Sequence, residues 1–184
     1  MSSSPSSATA EVGMVGFART NDFIGKAIRF GEWLRFRKGD TWNHAFIVDS
    51  IKDGIPYVLQ ADVRGVTNDK PLSSVGEYIL LNPKVVADLD KLRYFARKQL
   101  RDGYGWATIF FLVVDIITPK WFPAFHPSSK GRPSWICSTL TGEALRFAGW
   151  YHDWADPMLV TPAQLYEALT SEFSAEFEEV DAPG

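Results

Sequence analysis

Apolar and polar residues follow two different periods along this chain, and the period assigns most of its elements. His44-Ala45-Phe46-Ile47-Val48, Tyr57-Val58-Leu59-Gln60-Ala61-Asp62-Val63 and Glu77-Tyr78-Ile79-Leu80-Leu81 are short, rich in β-branched and aromatic residues, and read as strands, with a shorter one in Val12–Ala18. Asp53-Gly54 lies between the first two and predicts a hairpin. Helical spacing governs other stretches. Ile24, Ala27, Ile28, Gly31 and Leu34 share a face within Asn21–Arg37. Val86, Leu89, Leu92, Ala96 and Leu100 share another, in a helix expected to open at Asn82-Pro83 and to end at Gly103. Cys137, Leu140, Thr141, Ala144, Leu145 and Ala148 line a third, running to Phe147, with Ser134 as its expected N-cap. Thr161-Pro162 starts a last short helix carrying Leu165 and Leu169. Residues 107–118 are apolar and fit helix or strand equally, and Pro119–Pro133, with four prolines, reads as a loop.

Composition narrows the class. A chain of 184 residues, 46% hydrophobic, suits one domain with a full core. Its boundaries are expected at a flexible Ser-rich arm over 1–12, a folded domain over 13–170 and an acidic tail over 171–184. A net charge of −3 argues against a binder dominated by nucleic-acid phosphates. The longest apolar run, Ile109–Val114, resumed at Ile116-Ile117, is too short to span a bilayer. The N-terminus has neither the basic start nor the apolar core of a secretory signal. A cytoplasmic or virion-associated location is the expectation.

The chemistry concentrates on Cys137, the sole cysteine, which excludes an internal disulfide and any multi-cysteine metal site. It stands where a helix begins. Unpaired N–H groups and the helix dipole favour an anion there, and a thiolate is such an anion. The backbone N–H of Cys137 could contribute to an oxyanion hole, and Ser138 and Thr139 could cap neighbouring N–H groups. Of the three histidines, His126 and His152 lie in loops, which fix a ring poorly, whereas His44 sits on a strand. A cysteine nucleophile needs such a base and a third group to orient it. Gln60 and Asp62 are the candidates. A two-residue Asp53-Gly54 loop pairs residue 44 with residue 63 and turns both candidates away from His44. A three- or five-residue loop brings them to its face, so the longer loop is expected.

The order His, polar residue, Cys resembles the permuted papain-fold cysteine hydrolases, the circularly permuted branch of the NlpC-like superfamily that includes lecithin–retinol acyltransferase-like proteins. Asn43-His44-Ala45-Phe46-Ile47-Val48 is similar to the family's strand opening on the catalytic His. Val58–Val66 resembles its next strand, and Pro71-Leu72 the turn that follows. Gly103-Tyr104-Gly105-Trp106, Trp135-Ile136-Cys137-Ser138-Thr139-Leu140 and Thr161-Pro162-Ala163-Gln164-Leu165 resemble later family segments. The resemblance covers about residues 13–170. Gln60 stands where a carboxylate is common, and Trp106–Trp135 is longer than the minimal pattern.

The resemblance implies an α+β papain-like fold with an antiparallel sheet packed against the cysteine helix. It implies Cys137 as nucleophile, His44 as base and Gln60 as orienting residue, with Asp62 as the alternative. Tyr104, Ser138, Trp135 and Asn43 are expected around the oxyanion and substrate. No metal or other cofactor is called for. The implied activity is amide hydrolysis, in peptidoglycan stem peptides or similar short peptides, in a setting such as a phage tail. Two rivals are a lipid or thioester acyl hydrolase or acyltransferase, for which the apolar 107–117 stretch would suit an acyl chain, and a non-catalytic module held by partner chains through the arm and tail.

Overall fold

The computed structural model describes residues 10–20, 42–83, 88–103, 135–150, 160–172 and 177–180. Five strands come first: β1 (Val15–Arg19), β2 (His44–Lys52), β3 (Ile55–Asp62), β4 (Gly65–Pro71) and β5 (Glu77–Pro83). Three helices follow: α1 (Leu89–Lys98), α2 (Cys137–Phe147) and α3 (Pro162–Glu167). A π-helical turn, Ala168–Glu172, and a last strand, β6 (Phe177–Val180), complete them. The strands form one sheet in the order β4-β3-β2-β1-β5-β6, with every neighbouring pair antiparallel. The architecture is α+β.

Both sheet faces bury apolar side chains. One carries Val15, Phe17, Ala45, Ile47, Leu59, Ala61 and Leu81, and packs against Leu92 and Ala96 of α1, Leu140, Ala144 and Leu145 of α2, and Leu165 of α3. The other gathers Phe46, Val48, Val58, Leu72, Val75 and Leu80. Gly16 pairs with Phe46 across β1 and β2. A Cβ there would lie 2.0 Å from the Phe46 ring, so only glycine lets that ring lie flat over β1.

Several expectations are corrected. Asn82-Pro83 does not open a helix: both residues end β5 and pair with β6. The helix starts at Leu89, where Asp88 accepts the Lys91 N–H at 2.9 Å and caps it. It ends at Lys98 rather than Gly103, because the chain turns at Arg101 (φ 73°) to exchange backbone bonds with Val66. Residues 177–180, expected in a tail outside the domain, form a sheet strand that covers the edge β5 would otherwise leave open. β4 was not foreseen. The expected helix over Asn21–Arg37, the 107–118 stretch, the Pro119–Pro133 loop, Ser134, most of the arm, His126 and His152 lie outside the described residues.

The β2–β3 hairpin corrects the loop expectation. Lys52 pairs with Ile55, so the loop is the two-residue Asp53–Gly54, with both φ angles positive (51° and 77°) as the tight hairpin turn requires. The register then shifts: Ser50 pairs with Tyr57, but Val48 pairs with Val58, leaving Asp49 as the extra residue of a β-bulge. Extended towards the site, the shifted register sets Phe46 opposite Gln60 and His44 opposite Asp62. The bulge, not a longer loop, turns Gln60 and Asp62 to the face of His44.

Candidate active site

α2 begins at Cys137 because Ile136, and not the expected Ser134, is its N-cap: Ile136 is extended (φ −99°, ψ 159°) and its carbonyl accepts the Leu140 N–H, the first helical bond. The Thr139 hydroxyl accepts the Ile136 N–H at 3.3 Å and donates to the Ile136 carbonyl at 3.0 Å, fixing the entry to the helix. Thr141 donates to the Cys137 carbonyl at 2.9 Å. The apolar face of α2 then seats the helix on the sheet and leaves Cys137, only 3% exposed, against the start of β2.

His44 is the first residue of β2 and is partly buried. The β2–β3 ladder stops at Ile47–Leu59, so residues 44–46 are outside it. The Val48 N–H is directed to Met14 of the β1 side, and alternation therefore aims the Ala45 N–H to the β3 side, where no ladder partner takes it. Cys137 lies beside this gap, where the His44 ring and the backbone N–H groups of Ala45 and Ser138 act on its sulfur.

Gln60 is buried, and its Oε1 lies 2.7 Å from His44 Nε2. Its Nε2 donates to Asp62 Oδ2 at 3.3 Å. Asp62 in turn accepts from the Arg64 backbone N–H at 2.8 Å and pairs with Lys70 Nζ at 2.9 Å. This chain of contacts sets the ring. A carboxylate can only accept, so Gln60 must present its amide N–H₂ to Asp62 and its carbonyl oxygen to His44. That oxygen can only accept, so His44 Nε2 carries a proton. Nδ1 is the nitrogen left to receive a proton from sulfur.

Electrostatics follow from the same contacts. Burial on its own raises the Cys137 thiol pKa, but the charge and hydrogen bond of His44, with the Ala45 and Ser138 N–H groups, outweigh it and bring the thiol below its ordinary 9.0. Burial likewise lowers the His44 pKa. The Cys137 charge and hydrogen bond, with that of Gln60, overcome this and lift the ring above its ordinary 6.5. Asp62 is pushed up by burial and pulled down further by Lys70 and Arg64, ending below the usual carboxylate range.

The other expected site residues that are described have partners of their own. Asn43 accepts the Thr20 N–H at 2.8 Å and the Thr20 hydroxyl at 3.2 Å, and donates to the Thr20 carbonyl at 2.8 Å. These bonds use its amide oxygen and one amide N–H to lock the end of β1 to the start of β2. The Ser138 hydroxyl, fully buried, donates to the Val160 carbonyl at 2.5 Å; only its backbone N–H faces the sulfur. Trp135 is buried against Phe95, edge to face at 5.9 Å, and its indole donates to Asp102 at 3.2 Å, so it packs the core instead of lining a substrate groove. Asp62 touches Gln60 and not the ring, acting one step behind it. Tyr104 lies outside the described residues.

Sequence reasoning missed Ala45 and Lys70, whose parts depend on long-range register, and Asp49, whose signal is a lone carboxylate at the end of the apolar run Ala45–Val48. Among the described residues, no group of three or more His, Cys, Asp or Glu is placed to hold a metal ion, and no helix is long and apolar enough to cross a membrane.

No protein-family model and no curated protein matches the sequence. Among solved structures, the chain is similar to yiiX from Escherichia coli O157:H7, described as a metalloprotein and as DUF1105. The identity is 16%, covering 96% of this chain and 99% of that one, with a TM-score of 0.61. At this identity the likeness speaks for the fold alone.

Proposed function

We propose that this chain is a thiol-dependent hydrolase of the permuted papain-like type, cleaving amide bonds in peptidoglycan stem peptides or similar short peptides. One observation carries the reading: a buried cysteine at a helix start is under the influence of an imidazole whose Nε2 is held 2.7 Å from a buried amide oxygen. A structural cysteine has no need of such a chain of partners, and an inert buried thiol has a raised pKa, not a lowered one.

In the proposed mechanism, His44 Nδ1 takes the Cys137 proton, and the thiolate attacks the amide carbonyl carbon, forming a C–S bond. The carbonyl oxygen becomes an oxyanion, stabilised by backbone N–H groups at the start of α2, among them that of Cys137. The tetrahedral intermediate collapses, the C–N bond breaks, and protonated His44 gives its proton to the departing amine. Water then gives up a proton to His44 and attacks the thioester, releasing the acid and restoring the thiol. Gln60 holds the ring in register throughout, and Asp62 with Lys70 holds Gln60.

Peptidoglycan fragments incubated with wild type and Cys137→Ser test the reading. Amide cleavage by the wild type that Cys137→Ser abolishes without loss of folding supports it. Cleavage retained in Cys137→Ser rejects it. Activity on acyl thioesters but not peptides would favour the acyl-transfer rival, whose apolar 107–117 stretch lies outside the described residues. The similarity to a protein described as a metalloprotein has its own control: hydrolysis that a chelator removes and Cys137→Ser does not would replace the thiol mechanism with a metal one.

A further inference from the structure

The Asp49 bulge has a clamp of its own. Asp49 is 1% exposed, yet its carboxylate is surrounded by cations and donors from other elements. Arg97 of α1 donates through Nε at 2.6 Å and through Nη2 at 3.1 Å. Arg93 Nε of the same helix lies 3.9 Å away. Asn68 of β4 donates at 3.1 Å across β3. Asn68 itself falls at a second irregularity, where Val58 pairs with Lys70 but Gln60 with Thr67. The two register shifts flanking β3 are therefore tied together through one carboxylate.

We propose that Asp49 and Arg97 are positioning residues for the Cys137–His44–Gln60 site, holding the extra residue of β2 out of the ladder so that Gln60 faces His44. This rests on reading that site as catalytic. The physical argument is one of location. A buried carboxylate must stay with its cations, so the clamp fixes where β2 carries its surplus residue. Absorbed into a regular ladder from the Asp53–Gly54 turn, residue 49 would push the pairing along by one. His44 would then stand opposite Val63, and Gln60 and Asp62 would turn to the other face. Asp49 touches none of the reacting groups and acts through the strand register alone.

Two changes at the same position separate register from mere stability. Asp49→Val leaves the surplus residue and removes the clamp. Deletion of Asp49 removes the surplus residue itself, so Ser50 follows Val48 and the Val48–Val58 pairing is kept. The readout is the pH profile of Cys137 alkylation by iodoacetamide, followed by mass spectrometry on protein whose folding is checked by circular dichroism. Asp49→Val should slow alkylation near neutral pH roughly tenfold, the effect of about one unit in the thiol pKa. The deletion should keep the wild-type profile. Equal losses in both variants, a deletion variant that does not fold, or an unchanged Asp49→Val profile would overturn the proposal. If Asp49→Val does not fold, Arg97→Met, which leaves the strand sequence intact, replaces it and should slow alkylation in the same direction; an unchanged profile overturns the inference. A wild-type thiol unreactive near neutral pH would instead reject the functional reading beneath it.

Discussion

Gln60→Leu removes the side-chain amide, both the oxygen that faces His44 and the nitrogen that donates to Asp62, and its effect on the ring can be worked from the first of these contacts. Gln60 Oε1 sits 2.7 Å from His44 Nε2 and accepts its proton whether the ring is neutral or charged. A hydrogen bond to a charged group contributes about 1.5–3 kcal/mol and a neutral one about 0.5–1.5 kcal/mol. The difference, about 1–1.5 kcal/mol, is what Gln60 adds to the imidazolium over the imidazole, and it corresponds to about one pKa unit. The sign follows. His44 is raised above 6.5 partly by this bond, so losing it lowers the ring pKa, and the weaker positive charge lets the Cys137 pKa rise. A ¹⁵N titration of the His44 ring by NMR reads the first shift directly. It should also show the Nδ1–H tautomer appearing at high pH, because the acceptor that keeps the proton on Nε2 is gone. A ring midpoint that stays in place or rises, with the tautomer unchanged, would refute the orienting role of Gln60.

Asn43→Ala should cost about 2–3 kcal/mol in urea unfolding, because the Thr20 N–H and carbonyl lose a buried partner, while Cys137 keeps its alkylation midpoint. A changed midpoint at unchanged stability would return Asn43 to the site. Thr161→Ala removes the hydroxyl that caps α3 at Gln164 and should lower stability by about 1 kcal/mol, read as a fall in thermal midpoint; no fall would mean the cap contributes nothing. Gly16→Ala places a methyl in the Phe46 ring and should destabilise by about 1–3 kcal/mol. Its crystal structure should show the ring displaced, and an unmoved ring would contradict the close packing.

What could be read from the chain before folding depended on how local the cause was. The helix at Cys137 is written in its own residues: apolar positions at helical spacing and a Thr139 hydroxyl that turns back on Ile136. The strand at His44 is equally plain. β4 was not, because an edge strand of Val66-Thr67-Asn68-Asp69-Lys70 has the polarity of a loop, and only β3 makes it a strand. Asn82-Pro83 resembles a helix start by residue type, and pairing with β6, a contact from the far end of the chain, overrides it. The hairpin is the most instructive case. Alternation correctly required an odd shift for Gln60 to face His44, but assigned it to the loop. The shift belongs to Asp49, whose partners Arg97 and Asn68 are on α1 and β4. Asn43, Ser138 and Trp135 stood beside the two central residues in sequence, and adjacency in sequence put their side chains to structural use.

The claim beneath all of this is that His44 holds Cys137 as a reactive thiolate. Alkylation of Cys137 against pH, in wild type and in His44→Ala, measures it most directly. A midpoint below 9.0 in the wild type, moving upward in His44→Ala as burial regains the upper hand, is the predicted result. A wild-type midpoint at or above 9.0, or one that His44→Ala leaves unmoved, would contradict it.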